Sequence, residues 1–229
     1  MYSTYGTPSF EKDTFVNQKG NLIITFIGHG TLMIEYNNKV IHVDPWSKLA
    51  DYKQLPKADI VLITHHHQDH LDAVALNQIK KESTILVGTR KCKELNSSIM
   101  PVTNGESAQF GEIFLYAIPA YNIVQLRPDN TPFHPKGEGN GYLLDIDNLR
   151  IYIAGDTENI PEMKNIKNVD IAFLPCNLPY TMTVDMFVEA ISMIKPKIVY
   201  PYHYGETNLN EIINKLGLVE TEIRIRKMK

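Results

Sequence analysis

Apolar residues open the chain in three short runs, Leu22 to Ile27, Thr31 to Tyr36 and Lys39 to Val43, parted by Gly28-His29-Gly30 and by Asn37-Asn38. The asparagine pair predicts a two-residue hairpin, because asparagine tolerates the positive φ that such turns require. From Asp59 onward the texture changes. Continuous apolar runs at Asp59 to Ile63, Thr84 to Val87, Glu112 to Ile118, Arg150 to Ala154, Asp170 to Leu174 and Lys197 to Tyr200 now alternate with helical patterns. Runs of this kind suit strands buried on both faces, so the fold class is α/β (α+β), with sheets covered by helices. The clearest helix spans Thr183 to Lys195, with Val184, Phe187, Val188, Ile191 and Ile194 on one face. Thr183 caps it, Asp185 suits its positive end and Pro196 stops it; Met186 and Met193 read as packing. No repeat or linker interrupts the pattern, so residues 1–229 read as a single domain. The one long aperiodic segment is Ala120 to Asn140, and long irregular loops in compact domains tend to be functional or disordered.

Composition narrows the function classes. The 229 residues carry a net charge of −3 and lack the basic stripe of a nucleic-acid binder, so a long polynucleotide is not the expected partner. The ending Arg224-Ile225-Arg226-Lys227-Met228-Lys229 reads as a solvated tail. The first residues have no apolar signal-peptide core, and nothing approaches the roughly 18 apolar residues of a membrane span. A cytoplasmic protein without a membrane span is expected, or a periplasmic one if a signal peptide was removed before residue 1; oligomeric state stays open. Cys92 and Cys176 are distant and not a CxxC pair, so they read as buried free thiols.

The chemistry concentrates in LITHHHQDHLD, residues 62 to 72. His65 and His67 stand two apart, so in an extended loop both imidazoles can point towards one ion. Asp69 and His70 follow in a tighter turn and can face a second. Imidazole and carboxylate suit zinc, manganese or iron. His66 alternates away from its neighbours and is expected to be exposed. The arrangement recurs downstream, where apolar strands deliver Asp156 and His203 at their C-terminal ends, the usual place for sites in α/β sheets.

These motifs, Asp44-Pro45, His65-x-His67-x-Asp69-His70, Gly155-Asp156-Thr157 and Pro201-Tyr202-His203, resemble those of the metallo-β-lactamase superfamily of metal-dependent hydrolases. The resemblance covers about Leu22 to His203. Gly28-His29-Gly30-Thr31 and Pro175 to Met182 look most like the branch containing ascorbate-6-phosphate lactonase and the N-acylphosphatidylethanolamine phospholipase. It implies a four-layer αββα sandwich with metals at one edge. One position departs from the pattern: many relatives place a metal-binding histidine where this chain has Asn122. His134, in the aperiodic loop, is the expected replacement.

The resemblance then implies two divalent ions, most simply Zn2+ with Mn2+ or Fe2+ as alternatives, about 3.5–4 Å apart with a nucleophilic hydroxide between them. His65, His67, His134 and Asp156 would hold the first ion, and Asp69, His70, Asp156 and His203 the second. Asp69 can also orient the hydroxide and protonate the leaving group. Asp44 would accept a hydrogen bond from a ligand histidine. His29 would either stabilise an oxyanion or pack beneath the site. Tyr121, Phe133, Tyr180, Met182, Tyr202 and Tyr204 are expected at the rim, with Lys136 or Arg127 as phosphate-binding candidates. The substrate class is a small ester, lactone or phosphodiester. Two other readings are an oxygen- or NO-reducing di-iron protein, disfavoured by His67 and chain length, and a non-catalytic or mononuclear metal-binding scaffold.

Overall fold

The computed structural model describes residues 9–17, 19–217 and 220–229. Its strands form two seven-stranded sheets. The first contains, in spatial order, β1 (Glu11–Val16), β2 (Asn21–Gly28), β3 (Thr31–Tyr36), β4 (Lys39–Val43), β5 (Ile60–Leu62), β6 (Ile85–Gly88) and β7 (Met100–Pro101). The second contains β8 (Ser107–Phe110), β9 (Ile113–Ala120), β10 (Gly139–Ile146), β11 (Leu149–Ile153), β12 (Ile171–Pro175), β13 (Ile198–Tyr202) and β14 (Glu222–Ile223). Four α-helices accompany them among the described residues: α1 (Ala73–Ile79), α2 (Arg90–Leu95), α3 (Val184–Ile194) and α4 (Leu209–Leu216).

Side-chain alternation divides each strand between two cores. In β10, Tyr142, Leu144 and Ile146 join the layer between the sheets, whereas Leu143 faces the helices of the second sheet. In β11, Ile151 and Ile153 point inward and Tyr152 outward. Phe187, Ala190, Ile191 and Ile194 of α3, with Ile212 and Leu216 of α4, close that outer core. Ala75, Leu76 and Ile79 of α1 and Cys92 of α2 do the same against Met33, Val61 and Ile63 of the first sheet. Helix, sheet, sheet and helix therefore stack as four layers, and the unbroken apolar runs are explained by burial on both faces.

The predicted hairpin is present, with Asn37 and Asn38 at φ 46° and 59°. Helix α3 is capped by the Thr183 side chain, which accepts from Met186 N. β9 and β13 each continue two residues beyond the predicted runs, to Ala120 and Tyr202. The aperiodic segment ends at Gly139, where the unpredicted β10 begins. The basic ending is not a solvated tail. Arg226 makes a two-pronged ion pair with Asp13 at 2.7 and 2.8 Å, Arg224 lies 3.6 Å from the same carboxylate, and Met228 is fully buried in the central core. Cys92 and Cys176 are buried free thiols. Among the described residues, no helix is long and apolar enough to cross a membrane.

Candidate metal centre

Parallel pairing of β4 with β5, of β11 with β12 and of β12 with β13 brings the C-terminal ends of these strands to one edge of the sandwich. Asp44, His65, Asp156 and His203 leave the sheets there. His29, Asp44 and His203 take φ of 51°, 43° and 46°, a left-handed conformation that costs non-glycine residues of order 1–3 kcal/mol each. Most other non-glycine residues in that region are asparagines in turns, so the strain gathers at this edge. Glycine is required beside it. A Cβ on Gly155, at φ 67°, would meet Asn140 O at 2.6 Å, and one on Gly30 would crowd the His70 ring at 3.1 Å.

Three groups of potential ligand atoms each gather within 4.8 Å: His65, His67 and His134; His65, His70 and Asp156; and His29, Asp69, His70 and His203. Asp156 Oδ2 lies 3.3 Å from His134 Nε2, 3.4 Å from His203 Nε2, 3.6 Å from His70 Nε2 and 3.9 Å from His65 Nε2. Asp69 Oδ2 lies 3.1 Å from His29 Nε2 and 3.6 Å from His70 Nε2. The Nε2 atoms of His65, His70 and His203 and Oδ1 of Asp156 are buried without a hydrogen-bond partner among the described residues. Buried polar atoms are ordinarily paired, and unpaired ones that converge from separate elements are what a cation site requires.

The electrostatics suit metal binding at His65, His67, Asp156 and Asp69 and depart from it at His70, where the carboxylates favour a proton. Burial, reinforced by the neighbouring imidazoles, holds His65 well below its usual pKa and takes His67 to about 4, so both are neutral, the form that binds metal. Asp156 is held well below the carboxylate range: burial pushes it up, but His203, His70 and His134 outweigh that. Burial likewise raises Asp69, but the His203 imidazole, 3.8 Å away, and the hydrogen bond with His29 bring it far below the ordinary range. At His70, burial is overcome by Asp156 and Asp44, whose carboxylates lift it to about 10.

Outer partners fix which nitrogen faces inward. Asp44, fully buried, accepts from His70 Nδ1 at 2.8 Å, Thr64 N at 2.7 Å and Thr64 Oγ1 at 2.6 Å. That leaves His70 Nε2 directed at Asp156. Asn122 performs the same service for His134. Its Oδ1 accepts from His134 N at 2.8 Å and Nδ1 at 2.7 Å, while Nδ2 donates to Glu158 Oε1 at 3.1 Å and Tyr180 O at 2.9 Å. Glu158, with no exposure, also accepts from the backbone N–H groups of Ile123, Val124 and Gln125 at 2.9, 2.9 and 2.6 Å. Sequence reading missed Glu158 and Thr64. Each sits beside a recognised motif residue, but their partners lie in other segments.

His66 stands outside all three groups and is half-buried rather than exposed. His42 is buried in β4 with Nε2 3.0 Å from Pro56 O. A pocket of about 390 Å³ opens over Asp69, Asp156 and His203, and of the six expected rim residues only Phe133 and Tyr180 line it. Met182 is fully buried in the outer core, and the Tyr202 hydroxyl accepts from Gly155 N at 2.7 Å beneath the site. Tyr121 is buried and Tyr204 reaches Arg226 O, so neither is a rim residue.

Two layers of helix around two mixed sheets, with a His/Asp cluster at the strand ends, define a metallo-β-lactamase fold. The β-lactamase superfamily domain model matches residues 23–203, and the chain belongs to that superfamily. Curated relatives include UPF0173 metal-dependent hydrolases of Pelotomaculum thermopropionicum, 32% identical over 82% of this chain and 86% of the relative, and of Archaeoglobus fulgidus, 30% identical over 82% and 85%. Among solved structures, a candidate metal-dependent hydrolase from Parabacteroides distasonis superposes with a TM-score of 0.93 at 45% identity, covering 96% of this chain and all of the other. A metallo hydrolase from Ignicoccus hospitalis matches at 0.75 and 23% identity over 91% and 96%, a likeness of fold.

Proposed function

We propose that residues 1–229 act as one metal-dependent hydrolase domain holding two divalent ions, zinc first among them, and cleaving a small ester, lactone or phosphodiester. The observation that carries this reading is the convergence of unpaired, buried Nε2 atoms from His65, His70 and His203 on Asp156. In it, His65, His67, His134 and Asp156 hold one ion and Asp69, His70, Asp156 and His203 the other. Bound metal supplies Lewis acidity and a water acidic enough to react at neutral pH.

The chain's own residues do the rest. Asp156, central to four imidazoles, ties the two ligand groups together. Asp69, the more exposed carboxylate, faces the pocket, and its hydrogen bond with His29 fixes the orientation of that carboxylate. Hydrolysis joins the water oxygen to the acyl carbon or phosphorus and breaks that atom's bond to the leaving oxygen; Asp69 carries the water's proton across. His29 thus acts on Asp69 rather than on an oxyanion.

The test is elemental analysis of gently purified wild type and His134→Ala, with hydrolysis of a generic phosphodiester and lactone. About two ions per chain, falling towards one in the variant with loss of turnover, is the expected result. One ion or none, with no turnover under any divalent metal, would favour a scaffold.

A further inference from the structure

The long loop offers two cations near the pocket, and only one is free to act there. Lys136 Nζ lies 2.7 Å from Glu162 Oε1 and 3.2 Å from the Tyr121 hydroxyl, so its charge is already neutralised. Arg127 lines the pocket together with His67, Asp69, Asp156 and His203. Its backbone is set by a turn in which Arg127 N donates to Thr131 O at 2.7 Å and Asn130 N donates to Arg127 O at 2.9 Å. Nη2 donates to Phe133 O at 3.1 Å, and the guanidinium lies 4.8 Å from the centre of the Phe133 ring. Phe133 is braced edge-on against Tyr180 at 5.1 Å. The nearest acidic residue in the turn, Asp129, spends Oδ1 on the backbone and hydroxyl of Thr131. Among the described residues, no ion pair involves Arg127; one hydrogen bond is made and most of the roughly five N–H donors of a guanidinium stay free.

A half-buried arginine stacked on an aromatic ring has already lost much of its rotamer freedom, and its planar fork matches carboxylate or phosphate oxygens two at a time. The loop does not need this charge to hold its shape, because the turn and the Glu158 contacts do that. We propose that Arg127 is an anion subsite: the substrate carries a carboxylate or phosphate group, separate from the bond cleaved, that Arg127 grips while the scissile bond lies over the His/Asp cluster. This rests on the hydrolase reading above.

The test compares metal-loaded wild type, Arg127→Gln and Arg127→Lys on a neutral aryl ester and on analogues bearing a carboxylate or a phosphate remote from the ester. Wild type should favour one charged analogue in kcat/KM by roughly 10- to 100-fold, the range of hydrogen bonds to a charged group. That ratio should collapse towards one in Arg127→Gln and be intermediate in Arg127→Lys, with metal content unaltered. The favoured analogue identifies the anion. Equal use of neutral and charged esters by wild type, or a preference surviving in Arg127→Gln, overturns the proposal. If no ester is turned over, the hydrolase reading is judged by the phosphodiester and lactone assays above, and equilibrium titration with inorganic phosphate and with acetate decides the subsite. Tighter binding to wild type than to Arg127→Gln supports it, whereas equal or no binding to wild type overturns it.

Discussion

Two loops bring imidazoles to the same carboxylate by opposite means. The loop carrying His65, His67, Asp69 and His70 is short, leaves a buried strand, and folds on itself through His70 N and Leu71 N donating to His67 O at 3.0 and 2.8 Å. Residue spacing is nearly sufficient to aim its side chains, and Asp44 fixes the His70 tautomer and holds Thr64 at the loop's start. The loop carrying His134 is long and aperiodic. Asn122 N donates to His134 O at its neck, and Glu158, from beyond β11, gathers three of its N–H groups. An imidazole on a short loop is therefore placed locally, whereas one on a long loop is placed by whatever anchors the loop.

Cutting the point where the two loops meet should have the largest effect. Asp156→Asn should lower turnover by at least about 10²- to 10³-fold and release metal, measured by steady-state kinetics and elemental analysis. Retention of both ions would separate the loops from their supposed common partner. Next come the anchors. Glu158→Ala orphans three backbone donors and the Asn122 amide, so chemical denaturation should show a loss of about 2–4 kcal/mol. Asp44→Asn should cost a similar amount, because asparagine keeps one accepting oxygen but turns an NH2 group towards either Thr64 N or the Thr64 Oγ1 and His70 Nδ1 donors. The two variants should differ in metal binding: competition with a chelator should find weakened binding at the His134 side in the first and at the His70 side in the second. Asn122→Leu, which removes the orienting oxygen together with the amide that donates to Glu158 and Tyr180 O, should weaken metal affinity by roughly 10- to 100-fold with a smaller stability change than Glu158→Ala.

The smallest effect belongs to a tie remote from both loops. Burial pushes Asp13 up, but Tyr200 and Arg226 more than compensate and hold it below its ordinary 3.8. Its folded pKa is the lower one, so the stabilisation is present above about pH 4 and drains away as pH falls through the folded value. Asp13→Asn should lose about 1 kcal/mol at pH 7, flatten the acid limb of the stability profile, and leave metal content untouched.

The contrast between the loops also explains what could be read from the chain. Strands buried on both faces, the asparagine hairpin and the capped α3 declare themselves through local pattern. β10 does not, because Gly139-Asn140-Gly141 opens it with loop-forming residues, although a Cβ on Gly141 would strike Ala154 O at 2.8 Å. The short helices α1 and α2 lack the length over which periodicity becomes distinct. At the candidate centre, spacing pointed to the cluster of His65, His67, Asp69 and His70, and the gap at Asn122 pointed to His134, whose imidazole joins His65 and His67 in one group. Glu158 was not legible, since nothing near it in sequence hints that its partners lie 33 to 36 residues earlier. Tyr121, Met182, Tyr202 and Tyr204 were misplaced at the rim because aromatic and apolar side chains at strand ends serve packing as readily as binding, whereas Phe133 and Tyr180 do line the pocket. The basic ending was misread because Asp13, its partner, lies at the far end of the chain.

Because Glu158 holds the loop through backbone N–H groups, the side chains of Ile123 and Val124 are left exposed and chemically unconstrained. The stretch between Gln125 and His134, which carries Arg127 and Phe133, can then be lengthened, shortened or rewritten while the neck keeps the imidazole in place. A descendant of this chain can change what it cleaves without renegotiating how it binds metal, so the two traits can be inherited separately.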